Sequence, residues 1–242
     1  MKCIDPRNRL SLIALWAGVA LLAAGVTLAS AQAPNERIAA LKTTLEEGLA
    51  KRKAYEWIET TVVFRKGEEK SRKQNRCYYG ADGNVQKVPI ETAGASGGGG
   101  RKPRGLRGRV AKNKKEGIQD AVKGAAALVK EYVPPSPEKI QAAKDDGRLA
   151  VSPSDGGRVE MVIKDYFKKG DSVTLRLDLA NNVVQGLEVA TYMEKEKQAV
   201  NLTADLASLP DGTIYPGSIV LDITSENIRI NIKNSGHRPV SP

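Results

Sequence analysis

Histidine occurs once in this chain, at His237, and that scarcity excludes more chemistry than any motif suggests. A Ser-His-Asp or Cys-His nucleophile needs an imidazole held firmly beside it. His237 sits in "NSGHRPVSP", within residues 235–242, which read as a flexible tail. Metal centres built from several His or Cys are ruled out by the same inventory. Cysteine is nearly as scarce. Cys3 falls in the N-terminal targeting segment, and no Cys follows the apolar run where a lipid attachment would need one. Cys77 has no second thiol with which to form an internal disulfide in the mature chain. Its flanks, "NRCYYG", alternate like a strand, so it reads as a packed core thiol. Aromatics make up only 5%, which argues against a platform for stacked bases. "GGGGRK" lacks the Gly-x4-Gly-Lys-Ser/Thr spacing of a phosphate loop. The acidic pairs Asp145-Asp146 and Glu68-Glu69 fall at a helix end and a turn, where they read as solvated charge. The chain therefore offers no catalytic residue, metal site or cofactor to assign, and reads as a binder rather than an enzyme.

What is present begins with an address. "MKCIDPRNR" is basic, and Leu10 to Ala31 carries no charge and ends in Ala29-Ser30-Ala31. A basic start, an apolar stretch and an A-x-A site in that order form a signal peptide over residues 1–31, with cleavage before Gln32. An uncleaved inner-membrane anchor is the alternative, because the apolar run is just long enough to span a bilayer. Either way the rest lies outside the cytoplasm, periplasmic or secreted. That address bears on the most conspicuous polar feature, "GGGGRKPRGLRGRVAKNKK", with eight cations and no acid in a chain of net charge +10. Outside the cytoplasm nucleic acid is not the expected partner. An anionic membrane surface, an acidic wall polymer or an acidic protein is. Arg101, Lys102, Arg104, Arg107, Arg109, Lys112, Lys114 and Lys115 are the candidate contacts. Each gives roughly 1 kcal/mol beside an anionic membrane, less once salt screens it. Glycines 97–100 lose the most entropy on ordering, so residues 91–112 read as a disordered loop. Asn113, with Glu116 three residues on, reads as the cap of the following helix, which crowds Lys112, Lys114 and Lys115 at its N-terminus. A disordered insertion with no binding role is the alternative.

Between these features the hydrophobic period changes twice. Ile38, Leu41, Leu45 and Leu49 make one apolar stripe of a helix over 35–53. "YEWIETTVVF", "KQNRCYYG" and "NVQKVPI" read as three strands, with "RKGEE" and "ADG" as turns and Pro89 marking an edge. Ile118, Ala121, Val122, Ala125, Val129 and Tyr132 form a second amphipathic face, stopped by Pro134-Pro135. "SPEKIQAAKDDG" is a short helix capped by Ser136, with Pro137 at its first position and Gly147 closing it. From Leu149 the period is two, in about seven segments separated by "KKGD", "ANN", "EKEK", "LPDG" and "TSEN". The expected fold is α+β: a curled antiparallel sheet of about ten strands, an incomplete β-barrel, with three helices over its concave face.

That order of elements, together with the phrases "YYGADGNVQKVPI" and "LASLPDGTIYPGSIVLD", resembles the periplasmic outer-membrane lipoprotein-carrier (LolA-like) superfamily, and more closely its distant envelope members. The resemblance implies a single domain over residues 32–234 that holds an apolar ligand, a lipid or acyl chain, between sheet and helices. By that resemblance the lining candidates are Val173, Leu175, Leu177, Leu187, Val189, Val200, Leu202, Ile219 and Leu221. The long Gly-rich basic insertion and the few aromatics depart from the family pattern. The alternation by itself is satisfied equally by a solid core, which would leave an interaction module bound only through its basic segment.

Overall fold

The computed structural model describes residues 34–90 and 106–240. Helix α1 spans Pro34–Lys51, α2 Leu106–Val129 and α3 Pro137–Asp145. The strands are β1 Tyr55–Arg65, β2 Glu68–Tyr79, β3 Val85–Pro89, β4 Leu149–Ser154, β5 Arg158–Lys164, β6 Ser172–Asp178, β7 Val183–Tyr192, β8 Ala199–Ser208, β9 Ile214–Ile223 and β10 Ile228–Pro239. They form one antiparallel sheet in the order β3-β2-β1-β10-β9-β8-β7-β6-β5-β4, open at both ends and so not closed into a barrel. Every pairing joins neighbours in sequence except β1 with β10. β3, carrying Pro89, lies at one edge, where a missing N–H costs no ladder bond.

Local chemistry explains the hairpins. Lys66 and Gly67 both have positive φ, 54° and 81°, so a two-residue turn joins β1 to β2. Such a turn lets pairing run up to Arg65 and Glu68, which is why β2 starts five residues before Lys73, inside the stretch expected to be a turn. α3 is capped as its sequence indicates. The Ser136 side chain accepts the Lys139 N–H, Pro137 is at the start, and Gly147 has φ of 69°.

The register decides which side chains meet. One row runs Leu149–Ile163–Val173–Val189–Leu202–Leu221–Ile230–Val63–Ser71 across β4 to β2. The next runs Val151–Met161–Leu175–Leu187–Ala204–Ile219–Ile232–Thr61–Lys73. Both rows are apolar from β4 to β10; the first keeps Val63 on β1 and turns polar at Ser71 of β2, and the second turns polar at Thr61 of β1. The helices cover the apolar part. Leu45 of α1, Ile140 and Ala143 of α3, and Tyr132 just past α2 pack with Val173, Leu175, Leu177, Leu187 and Val189. Ala125 of α2 packs with Val200, Ile223 and Ile228. Register shifts in β1, at the β6–β7 pair and at the β8–β9 pair add local bend and twist.

Two further boundaries differ from expectation. α2 begins at Leu106, so Asn113 is an interior helical residue and not a cap. Residues 106–112 of the expected loop are therefore helical, and 91–105 lie outside the described residues. The C-terminal stretch is not a free tail either. β10 continues to Pro239, with Ser235 opposite Ile58, Arg238 opposite Glu56 and Pro239 opposite Tyr55. Residues 235–239 alternate too weakly to read as a strand, yet β1 offers them an unpaired edge, and buried or half-buried backbone groups take such partners.

Candidate functional site

Where the apolar rows end, the inner face of the sheet is left partly uncovered, and a cavity of about 280 Å³ lies there. Its lining comes from five places in the chain. The short turn after α1 supplies Arg52, β1 supplies Trp57 and Glu59, β3 supplies Lys87, β9 supplies Ile219, and β10 supplies Asn234 and His237. Val85, Tyr215, Pro216 and Ile232 complete it. Part of the lining is apolar and part carries charge: β9 and β10 contribute isoleucines and β3 contributes Val85, while β1 and β3 also contribute Glu59 and Lys87.

The polar wall is specifically arranged. Glu59 is 9% exposed, and Lys87 Nζ donates to both its carboxylate oxygens at 2.7 Å. The Arg52 guanidinium lies over two aromatic rings, 5.4 Å from the Trp57 centroid and 5.3 Å from that of Tyr79. His237 lies 3.8 Å from the Tyr215 ring and stacks on Trp57 at 6.1 Å with 15° between planes. Asn234 Nδ2 donates to the Pro216 carbonyl at 2.7 Å. Asn234 Oδ1 and Arg52 Nε are buried and find no partner among the described residues.

His237 is thus held between two rings, a correction to the frayed segment its flanks suggest. Among the described residues no hydroxyl, thiol or carboxylate hydrogen-bonds it, so the arrangement is not that of a nucleophile's base. Burial, and after it the charge of Arg52, hold its imidazole below the ordinary value of 6.5. The unfolded chain therefore takes up a proton at higher pH than the folded one. His237 contributes its full share of stability above about pH 6.5, and that share is lost as pH falls through the depressed value. Wild type should consequently lose more stability than His237→Gln between pH 7.5 and 5, read as urea midpoints. Parallel pH profiles for the two proteins would contradict this.

Of the nine lining candidates, only Ile219 borders the cavity. Val173, Leu175, Leu177, Leu187, Val189, Val200 and Leu202 are buried under the helices, each no more than 8% exposed, and Leu221 packs against the same core, partly buried. Helices and sheet meet closely over β5 to β8, and the space opens beside them. Among the cationic candidates, Arg101, Lys102 and Arg104 lie outside the described residues. Arg107 and Arg109 fall in the first turns of α2, whose first turn holds no acid, and Lys112, Lys114 and Lys115 lie further along it. The macrodipole disfavours cations only close to a helix N-terminus, so it does not bear on those three lysines, which lie inside the described helix. Cys77 is fully buried, and burial pushes its thiol up, as does the nearby Glu59 charge. That is the environment of an inert core thiol.

Sequence reasoning missed Arg52, Trp57, Glu59, Lys87, Asn234 and His237. Glu59 and Lys87 at inward strand positions were the available signal, since buried charges come in pairs. Their pairing partner was visible only once β3 was in register with β2.

No family model and no curated relative matches the chain. Its fold is similar to those of several solved structures. A DUF1329 family protein from Desulfovibrio piger aligns at a TM-score of 0.39 and 12% identity, covering 83% of this chain and 92% of that one. A LolA superfamily protein from Nitrosomonas europaea aligns at 0.36 and 9%, covering 84% and 94%. A domain assigned to outer membrane lipoprotein sorting, from Vibrio parahaemolyticus, aligns at 0.35 and 10%, covering 82% and 92%. Among the described residues no helix is long and apolar enough to cross a membrane.

Proposed function

We propose that this is an exported, non-enzymatic envelope protein that holds an apolar ligand, a single acyl chain or similar molecule, in the cavity beside the helices. The observation that carries the reading is the cavity itself. Its apolar lining comprises Val85, Pro216, Ile219 and Ile232, with Trp57 and Tyr215. Its volume of about 280 Å³ sits just under the roughly 300–1,000 Å³ of small-molecule sites, which suits one short chain rather than a multiply acylated lipid. The basic start and apolar run of residues 1–31 support export to the periplasm or beyond, with a retained anchor as the alternative.

The reading is tested in a Trp16→Phe chain, where Trp57 is the single remaining tryptophan and lines the cavity. Dodecan-1-ol is expected to shift Trp57 emission saturably. Ile219→Trp places new bulk at the apolar wall, and in that background the titration is followed by calorimetry. Affinity should fall about tenfold or more, since the side chain competes for the same space. Absence of saturable binding in the parent would overturn the reading.

The basic segment supports a second role, docking to an anionic surface. Arg107, Arg109, Lys112, Lys114 and Lys115 follow one another along the start of the described α2 with no acid among residues 106–115, a concentration of charge that an anionic surface would offset. Deleting residues 97–105, which spares the described residues of α2, should weaken sedimentation with phosphatidylglycerol vesicles at low salt but not at high salt. Unchanged sedimentation at both would remove the role and leave the cavity standing.

A further inference from the structure

We propose that the charged wall of the cavity receives an anionic head group, carboxylate or phosphate, on the Arg52 guanidinium, so that the ligand is an acidic amphiphile. This rests on the cavity being a ligand site. It adds the chemistry of the head, which the apolar wall leaves open.

Charge inside the site argues for it. Two cations, Arg52 and Lys87, line the cavity against one carboxylate, Glu59. Lys87 holds both oxygens of that carboxylate. Arg52 makes no ion pair among the described residues, and its charge is felt by His237, whose imidazole it disfavours protonating. The cavity thus carries one uncompensated positive charge, on a side chain it partly encloses.

Geometry argues for the same answer. Trp57 and Tyr79, whose own centroids are 5.8 Å apart, both lie to one side of the guanidinium. Stacking satisfies the π surface but none of the five N–H donors, which lie in the guanidinium plane. Nε is buried with no acceptor. A planar fork backed by rings on one side and with donors left without an acceptor suits bidentate capture of a carboxylate or phosphate. A quaternary ammonium head is the other common guest of an aromatic cage. Here Arg52 already lies over Trp57 and Tyr79, and its charge repels a second cation. Ile219 and Ile232 line the same cavity, so a head on Arg52 leaves apolar surface there for its chain.

The experiment compares four probes with one C12 chain on the full-length protein, by isothermal titration calorimetry below their micelle concentrations. They are dodecanoate, dodecyl phosphate, dodecan-1-ol and dodecyltrimethylammonium. One or both anions should bind about tenfold tighter than the alcohol or more, and the cation weakest. Whichever anion leads identifies the head as carboxylate or phosphate. Arg52→Gln should collapse the anion-to-alcohol ratio to within about twofold, and Arg52→Lys should restore part of it, since a point charge keeps attraction but loses the fork. An alcohol that binds as tightly as both anions, a preference for the cation, or an anion preference that survives Arg52→Gln would each overturn the head-group inference while leaving the cavity a ligand site. If no C12 probe binds, the cavity reading fails and this inference with it. Should Arg52→Gln not fold, the probe ranking on wild type decides by itself.

Discussion

Asp171→Ala is expected to destabilise the fold by about 3 kcal/mol or more, read from urea midpoints at constant slope. Asp171 is 3% exposed, in the loop between β5 and β6. Its carboxylate accepts the Tyr132 hydroxyl at 2.7 Å, the Tyr166 N–H at 2.6 Å, the Lys168 N–H at 2.8 Å and, more weakly, the Phe167 N–H at 3.2 Å. Alanine leaves those donors without their acceptor in a closed site, and each buried orphan costs about 1–3 kcal/mol. Tyr132 also meets the Thr191 hydroxyl at 2.7 Å, so the network ties the end of α2 to β7 as well as to the loop. Tyr132→Phe removes one member and keeps the ring, so it should cost less, about 1–2 kcal/mol. Burial, and after it the bond to Asp171, push the Tyr132 phenol well above its ordinary range, which keeps it a donor at all working pH. A loss below about 1 kcal/mol for Asp171→Ala would mean that water reaches the loop and replaces the carboxylate.

Leu175→Ala should cost about 2–5 kcal/mol in the same measurement. Leu175 is fully buried, in the row between Met161 and Leu187, under the helices. Truncation there opens a void that close-packed neighbours fill only in part. Ile219 lies two strands beyond Leu187 in that row, half-buried beside the cavity. Ile219→Ala removes the same class of side chain from a place that already borders open space, so its cost should be clearly smaller. Equal costs for the two would show that the division between packed core and open cavity is misplaced.

These two residues also mark how far the sequence could be read. Leu175 was legible as an inward residue, because alternation in "SVTLRLD" assigns faces without any knowledge of partners. Its role was not legible. Whether an inward leucine borders a ligand or a helix depends on where the helices end over the sheet. Asp171 was read only as part of a turn. Its three backbone partners are local, but the Tyr132 hydroxyl that makes it a tie comes from 39 residues earlier.

The sequence by itself determined the approximate number of strands, the antiparallel meander after Leu149, the capped α3, and the apolar face of the strands in that meander. All of these follow from periods of two or 3.6 and from turn residues acting over a few positions. Only the tertiary structure decided the rest. The β1–β10 pairing extends the chain end into the sheet and lodges His237 against Trp57. Register across β1 to β3 carries Lys87 to Glu59, and the turn after α1 lays Arg52 over the same aromatic rings. The residues of the cavity span from Arg52 to His237 along the chain. No local period links positions so far apart; they become neighbours because backbone groups at an open strand edge, and apolar rows with one uncovered end, each take the partner that removes them from water.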